Sequence, residues 1–253
     1  MKFLHCMSKL DYLLSALQQG LMLTDHEVRF APSEDRNELA SLIDQVLPLL
    51  RVRLANFGMP LESLPQDRVT AVFSGIGNMS GQVPMLCLSE VPRGKIIDSH
   101  RYLFGSFALV IKPEWLARNG ADRVIYVGHN STASQQIFIC LATMRIFGLF
   151  VSDKGKLIFD NESIRPALSL LTFFETRDHL QETEWRIAGQ TGFMGGVRET
   201  GKKLPLGLSD VEYIFVPNTE AISQVQQVVD ALSKNGNSAT KPNVMIFPKT
   251  IPE

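Results

Sequence analysis

Apolar residues fall into two spacings along the chain, and the spacing sorts it into helices and strands. In KLDYLLSALQQGLM, residues 9–22, Leu10, Leu13, Leu14 and Leu17 recur at three- and four-residue steps. One face of a helix needs that period, and Gly20 stands where a C-terminal stop belongs. KFLHCMS just before it reads as a short strand. Residues 33–57 open with Ser33, an N-cap residue, and the acids Glu34 and Asp35. The run continues helical to residue 57, with Pro48 expected to kink or divide it. Residues 58–69 carry Pro60 and Pro65 and read as a loop.

Two strand-like runs, residues 68–77 and 83–92, flank the turn-rich GNMSGQ. Residues 93–105 form a short helical or irregular piece, and SFALVIK is a strand. PEWLARNG is a short helix with Pro113 at its start and Gly120 past its end, followed by the strand DRVIYVG. Residues 130–150 read as an apolar core helix capped by Asn130 or Ser131, and residues 163–175 as another helical stretch. ETEWRIAG is a strand, residues 192–207 a Gly- and Lys-rich mobile loop, and DVEYIFVP a strand. Residues 218–236 carry a buried stripe of Ile222, Val225, Val229 and Leu232, and NVMIFP is the last strand. The pattern predicts a single α+β domain over residues 1–253, a mixed or antiparallel sheet with flanking helices.

Composition narrows the function classes. The 253 residues are 45% hydrophobic and 20% charged, with a formal net charge of −1. So balanced a chain has no global field to draw it to nucleic acid or an anionic membrane. Cys6, Cys87 and Cys140 are odd in number and widely spaced, which suits reduced thiols rather than a disulfide framework or zinc site. The five histidines show no paired ligand spacing, so no metal is expected. FSGIGNMSG is glycine-rich but lacks the Lys-Ser/Thr ending of a phosphate-cradling loop, and no Gly-x-Ser-x-Gly elbow occurs. The start of the chain has too short an apolar run for a secretory signal. The most apolar segment, residues 136–151, is broken by Arg145 and too short for a bilayer. A cytoplasmic protein without a membrane span is the expectation.

The middle of the chain carries a longer pattern. Cys87, Ser89, Val91 and Pro92 are followed by His100, Tyr102 and Gly105. Lys112, Glu114, Trp115, Asn119, Gly120, Val124, Tyr126 and Val127 come next, and Glu182, Glu184, Trp185 and Arg186 later. In kind and order these resemble the AbiGi-type abortive-infection proteins of bacterial phage defence, best over residues 85–235. The chain departs from that pattern at Glu90, where the family has Asp, and in Leu103 and Phe104, which separate Tyr102 from Gly105. The opening, a strand with His5 followed by LLSALQQGL, is more distantly similar to ADP-ribosyltransferases, including DNA-modifying toxins of toxin–antitoxin modules. That resemblance implies an ADP-ribosyltransferase-like fold and NAD as substrate. It also implies a first-strand histidine on NAD, an aromatic on the nicotinamide, and a catalytic glutamate late in the chain. His5, Tyr102 and Glu184 are the matching candidates, with His100 a further candidate for a phosphate.

The chemistry such a site needs is definite. Breaking the nicotinamide–ribose bond builds positive charge on the ribose, which a fixed carboxylate stabilises. On a strand, Glu182 and Glu184 share a face about 7 Å apart, one suited to hold the sugar and the other to activate an acceptor. Arg186 shares that face and can pair with either carboxylate or with a ligand phosphate. Trp185 and Ile187 take the opposite, core face. The same alternation also describes the solvated face of an ordinary antiparallel sheet. Likewise His5 suits a half-buried structural histidine, and Trp115 a packing anchor.

Two functions therefore stand side by side. One is an NAD-consuming ADP-ribosyltransferase or glycohydrolase, with Glu184 and Glu182 catalytic and His5, Tyr102, His100 and Arg186 holding NAD. The other is a non-catalytic, antitoxin-like protein that pairs with a toxin, nucleic acid or a phage component through an exposed apolar or basic patch, for which residues 198–203 are the basic candidate. A plain structural domain fits the residues as well.

Overall fold

The structure is a computed structural model of the chain. It describes residues 2–29, 36–64, 80–91, 98–128, 131–149, 171–175, 183–190, 198–236 and 240–250. At its centre is an eight-stranded sheet. Seven strands follow the order β12 (Asn243–Ile246), β11 (Val211–Val216), β5 (Phe107–Ile111), β1 (Lys2–Met7), β4 (Ser80–Val91), β9 (Thr183–Ala188) and β6 (Asp122–Arg123). The eighth, β3 (Thr24–Arg29), pairs with β4 beside β1. Every pairing in this sheet is antiparallel except β11 with β12, so the α+β fold with a mixed, mostly antiparallel sheet is as expected.

Helices cover both faces. On one, α1 (Leu10–Gln19), α4 (Pro113–Arg118) and α6 (Thr219–Gly236) pack Leu13, Leu17, Trp115, Val225 and Val229 against Phe3, Leu86, Leu88, Leu109 and Ile187. On the other, α2 (Arg36–Asn56) and α5 (Thr132–Leu149) pack Val46, Leu50, Leu54, Phe138 and Ala142 against Val28, Val83 and Met85. Farther along that second face, Leu4, Val91, Ala108, Val110, Phe215 and Phe247 form a separate cluster. A short helix, α3 (Asp98–Phe104), contacts β1. Burial of these side chains drives the layering, each contributing roughly 1.5–3 kcal/mol relative to exposure.

The structure differs from the sequence pattern in several places. Pro48 does not divide its helix in two: α2 runs on past it, because Val46, Leu50 and Leu54 bury a common stripe that outweighs the lost backbone bond. Residues 21–29 supply two unforeseen strands, β2 (Leu21–Met22) and β3; β3 reads TDHEVR, too polar for a strand signal, yet pairs with β4 at six positions. DRVIYVG is divided into β6 and β7 (Ile125–Tyr126), and β7 pairs in parallel with β8 (Phe174–Glu175), where a helix was expected. Part of the expected mobile loop is tied down: β10 (Lys203–Leu204) pairs with β2, and Leu23 and Lys202 exchange a backbone bond of 2.9 Å. Of the remaining expectations, the strand at residues 68–77 and the helix at residues 163–170 lie outside the described residues.

Two glycines fix the approach of these parts. Gly20 ends α1 at φ +93°, and Gly105 precedes β5 at φ +120°. A Cβ on Gly20 would overlap the Leu204 carbonyl, and one on Gly105 the Met7 carbonyl. Ser131 caps α5, its hydroxyl accepting from the Ser134 amide at 3.1 Å.

Candidate functional site

The antiparallel register of β4 and β9 sets Glu184 beside Ser89, Trp185 beside Leu88 and Arg186 beside Cys87. Alternation then splits β9 as its sequence demands. Ile187 is buried with Phe3 and Leu88, and Trp185 packs on the same cluster. The Trp185 ring meets Phe3 edge-on at 5.4 Å, and its indole N–H donates to Glu90 Oε2 at 2.8 Å. Glu184 and Arg186 face the other way.

There they form a buried ionic pair. Arg186 is only 8% exposed. Its Nε donates to Glu184 Oε1 at 2.7 Å and its Nη2 to Glu184 Oε2 at 3.0 Å, a two-pronged contact. Nη1 donates to the Thr172 carbonyl at 2.6 Å, and Nη2 lies 3.6 Å from Glu175 Oε2. Burial pulls the Arg186 pKa down, but bonding to Glu184 outweighs it and holds the guanidinium above its ordinary value. The charge of Arg186 is therefore permanent here.

Cys87 lies directly across from Arg186. Its thiol is pushed up to about 12, first by burial and then by the negative charge of Glu184. It stays protonated at neutral pH and is no nucleophile. On the other edge of β4, the described pairings with β1 run from Lys2↔Val91 to Leu4↔Ser89, and those with β3 from Thr24↔Met85 to Arg29↔Ser80. The two strands lie end to end along β4 with a notch between them. His5 sits at the notch, its Nδ1 3.0 Å from the Cys87 carbonyl. A carbonyl only accepts, so Nδ1 carries the hydrogen. Burial lowers the His5 pKa and keeps the ring neutral.

Not every expected site residue reaches this place. His5 and Glu184 flank the same strand, although alternation in β1 starts His5 from the Phe3 side of the sheet, opposite Glu184. Tyr102 is 78% exposed on α3, which contacts β1, two strands away from β9. His100 is buried in the same helix, its ring 6.0 Å from Phe104. Glu182 lies outside the described residues. Trp115 is fully buried, with its indole N–H on the Pro205 carbonyl at 2.8 Å, which is a packing anchor.

Three neighbours were missed as site residues: Cys87, which stood only in the longer pattern of the middle of the chain, Glu175, with no motif around it, and His26, on the polar β3. His26 lies at the surface, where partial desolvation and then the positive charge of Arg186 lower its pKa. Among the described residues, no group of three His, Cys, Asp or Glu is placed to hold a metal ion, and no helix is long and apolar enough to cross a membrane. The basic stretch near residue 200 is paired internally: Arg198 with Asp25 at 2.7 Å and Lys202 with Glu199 at 2.6 Å.

Comparison of the chain with protein-family models, curated proteins and solved structures finds no match. The arrangement must speak through its chemistry. It offers a carboxylate held rigidly by one guanidinium, with about a fifth of its side chain, 19%, still open to solvent. Each carboxylate oxygen carries a second lone pair beyond its bond to Arg186, so Glu184 can still accept from a ligand hydroxyl.

Proposed function

We propose that the chain is a cytoplasmic phage-defence protein of the abortive-infection type that breaks the nicotinamide–ribose bond of NAD. Glu184 stabilises the positive charge that develops on the ribose and accepts from its 2′-hydroxyl. Nicotinamide leaves with the bonding pair. Water or an acceptor nucleophile then adds to the ribose carbon and loses its proton.

The observation that carries this reading is the Glu184 carboxylate that Arg186 fixes on β9, beside the edge strand β6, with 19% of its side chain still open to solvent. A preorganised, partly desolvated charge is worth more to a transition state than a solvated one, because nothing must reorient during the reaction. The resemblance of the chain's opening to ADP-ribosyltransferases supplies the substrate. The test is nicotinamide release from NAD by the purified chain: release that is lost in Glu184→Gln supports the reading, and none from the folded wild type refutes it.

A specific observation favours a second reading, a non-catalytic antitoxin-like partner of a toxin, nucleic acid or phage component. Tyr102, Leu103 and Phe104 are consecutive and 78%, 68% and 46% exposed, an apolar patch at the tip of α3. On that reading Leu103→Asp abolishes the cellular effect and Glu184→Gln does not. The opposite result favours the enzyme.

A further inference from the structure

Arg186 was expected to hold a phosphate of the ligand or to pair with a carboxylate. The structure shows its guanidinium engaged with protein on three sides: two donors on Glu184, one on the Thr172 carbonyl, and Glu175 beside it. Its position is also fixed by a closed circuit of chain. β9 pairs with β6 at Asp122↔Arg186, and the Val124 amide donates to the Glu184 carbonyl at 2.8 Å. The chain continues into β7, where the Ile125 amide and that of Val127 just after the strand donate to the Phe173 and Glu175 carbonyls at 2.8 and 3.0 Å. That contact holds β8, which returns Thr172 and Glu175 to the Arg186 guanidinium. The fork is planar, so fixing it at Thr172 and Glu175 also fixes the plane in which the Glu184 carboxylate must lie.

We propose that Arg186 is a positioning residue that aims Glu184, and that it does not contact the phosphates of NAD. Glu175 and the Thr172 carbonyl set the guanidinium plane from the far side. This rests on the NAD-cleaving reading for its consequence in catalysis, but the aiming itself is a property of the folded chain.

A phosphate ligand and a positioning residue give different kinetics. Loss of a ground-state phosphate contact raises KM with kcat little changed, whereas loss of aim lowers kcat with KM little changed. Arg186→Lys keeps the charge and loses the two-pronged geometry. It is expected to lower kcat for nicotinamide release by roughly a hundredfold, the scale of losing one preorganised contact, with KM for NAD within about twofold. A raised KM with kcat preserved overturns the proposal.

The second measurement needs no turnover and no stable Arg186 variant. In the wild type the Arg186 side-chain Nε–H NMR signal is expected to be slow to exchange with water, with or without added NAD. In Glu184→Gln it is expected to shift and exchange at least tenfold faster. A signal that exchanges rapidly in the wild type, or one indifferent to Glu184→Gln, overturns the proposal. If the wild type releases no nicotinamide, the NAD reading fails while the NMR result still decides whether Arg186 holds Glu184.

Discussion

Replacing Arg186 with Met tests the buried pair most severely. Met fills much of the space of the aliphatic stem but leaves the Glu184 carboxylate without its two donors and the Thr172 carbonyl without a bond from Arg186. Breaking a buried pair by removing one partner destabilises by roughly 3–5 kcal/mol, since the remaining charge is buried without compensation. Glu184 and Glu175 retain 19% and 21% of their side-chain exposure, so solvent relieves part of this and the lower end applies, about 3 kcal/mol. For a chain of this size that lowers the melting temperature by roughly 6–12 °C. Urea unfolding followed by circular dichroism reads it directly. The double variant Arg186→Met, Glu184→Leu should recover at least a third of the loss, because it no longer buries that carboxylate. A single variant within about 0.5 kcal/mol of wild type, the scale of an ordinary surface change, or a double variant no better than the single, refutes the buried pair.

Three further outcomes follow from the same structure. Burial lowers both His5 and His26 below the ordinary 6.5, so below that value the unfolded chain binds more protons than the folded one; stability is full above pH 6.5 and falls as pH drops through it. Urea midpoints from pH 7.5 to 5 should show this fall, shallower in His5→Asn, and a flat or rising profile contradicts it. With its thiol pushed up to about 12, Cys87 should resist iodoacetamide at pH 8 in the folded chain and react in urea, as peptide mass mapping will show; rapid native labelling contradicts its burial. Gly105→Ala, at φ +120° against the Met7 carbonyl, should destabilise by roughly 3 kcal/mol, and Gly58→Ala, at φ +73° with open space around it, by only about 1 kcal/mol; equal thermal shifts would falsify the close approach.

Much of the fold was legible because period and burial coincide. The stripes of α1 and α6 lie in the same core cluster, β5 is a continuous apolar run buried inside the sheet, and β11 is apolar but for Glu212, which pairs with Lys2. β3 was hidden because a strand paired along one edge of β4 can carry Thr24, Asp25, His26 and Glu27 on its open surface while burying Val28. The division of β6 from β7 and the strand at Phe174–Glu175 come from long-range pairing, for which a local window holds no signal. The two faces of β9 followed from alternation alone. That Arg186 could pair with Glu184 followed from the same alternation, but that Cys87, Glu175 and His26 would surround the pair depended on strands up to about 160 residues apart in sequence coming into register, which no spacing along the chain encodes.

The central claim is that the carboxylate fixed by Arg186 cleaves NAD. Purified wild-type chain and Glu184→Gln are incubated with NAD, nicotinamide is quantified by chromatography, and both are melted to confirm that they are folded. Wild type is expected to release nicotinamide, and Glu184→Gln to fall at least a hundredfold, in line with loss of one preorganised electrostatic contact. Equal release by both folded proteins, or none from the wild type, would contradict it.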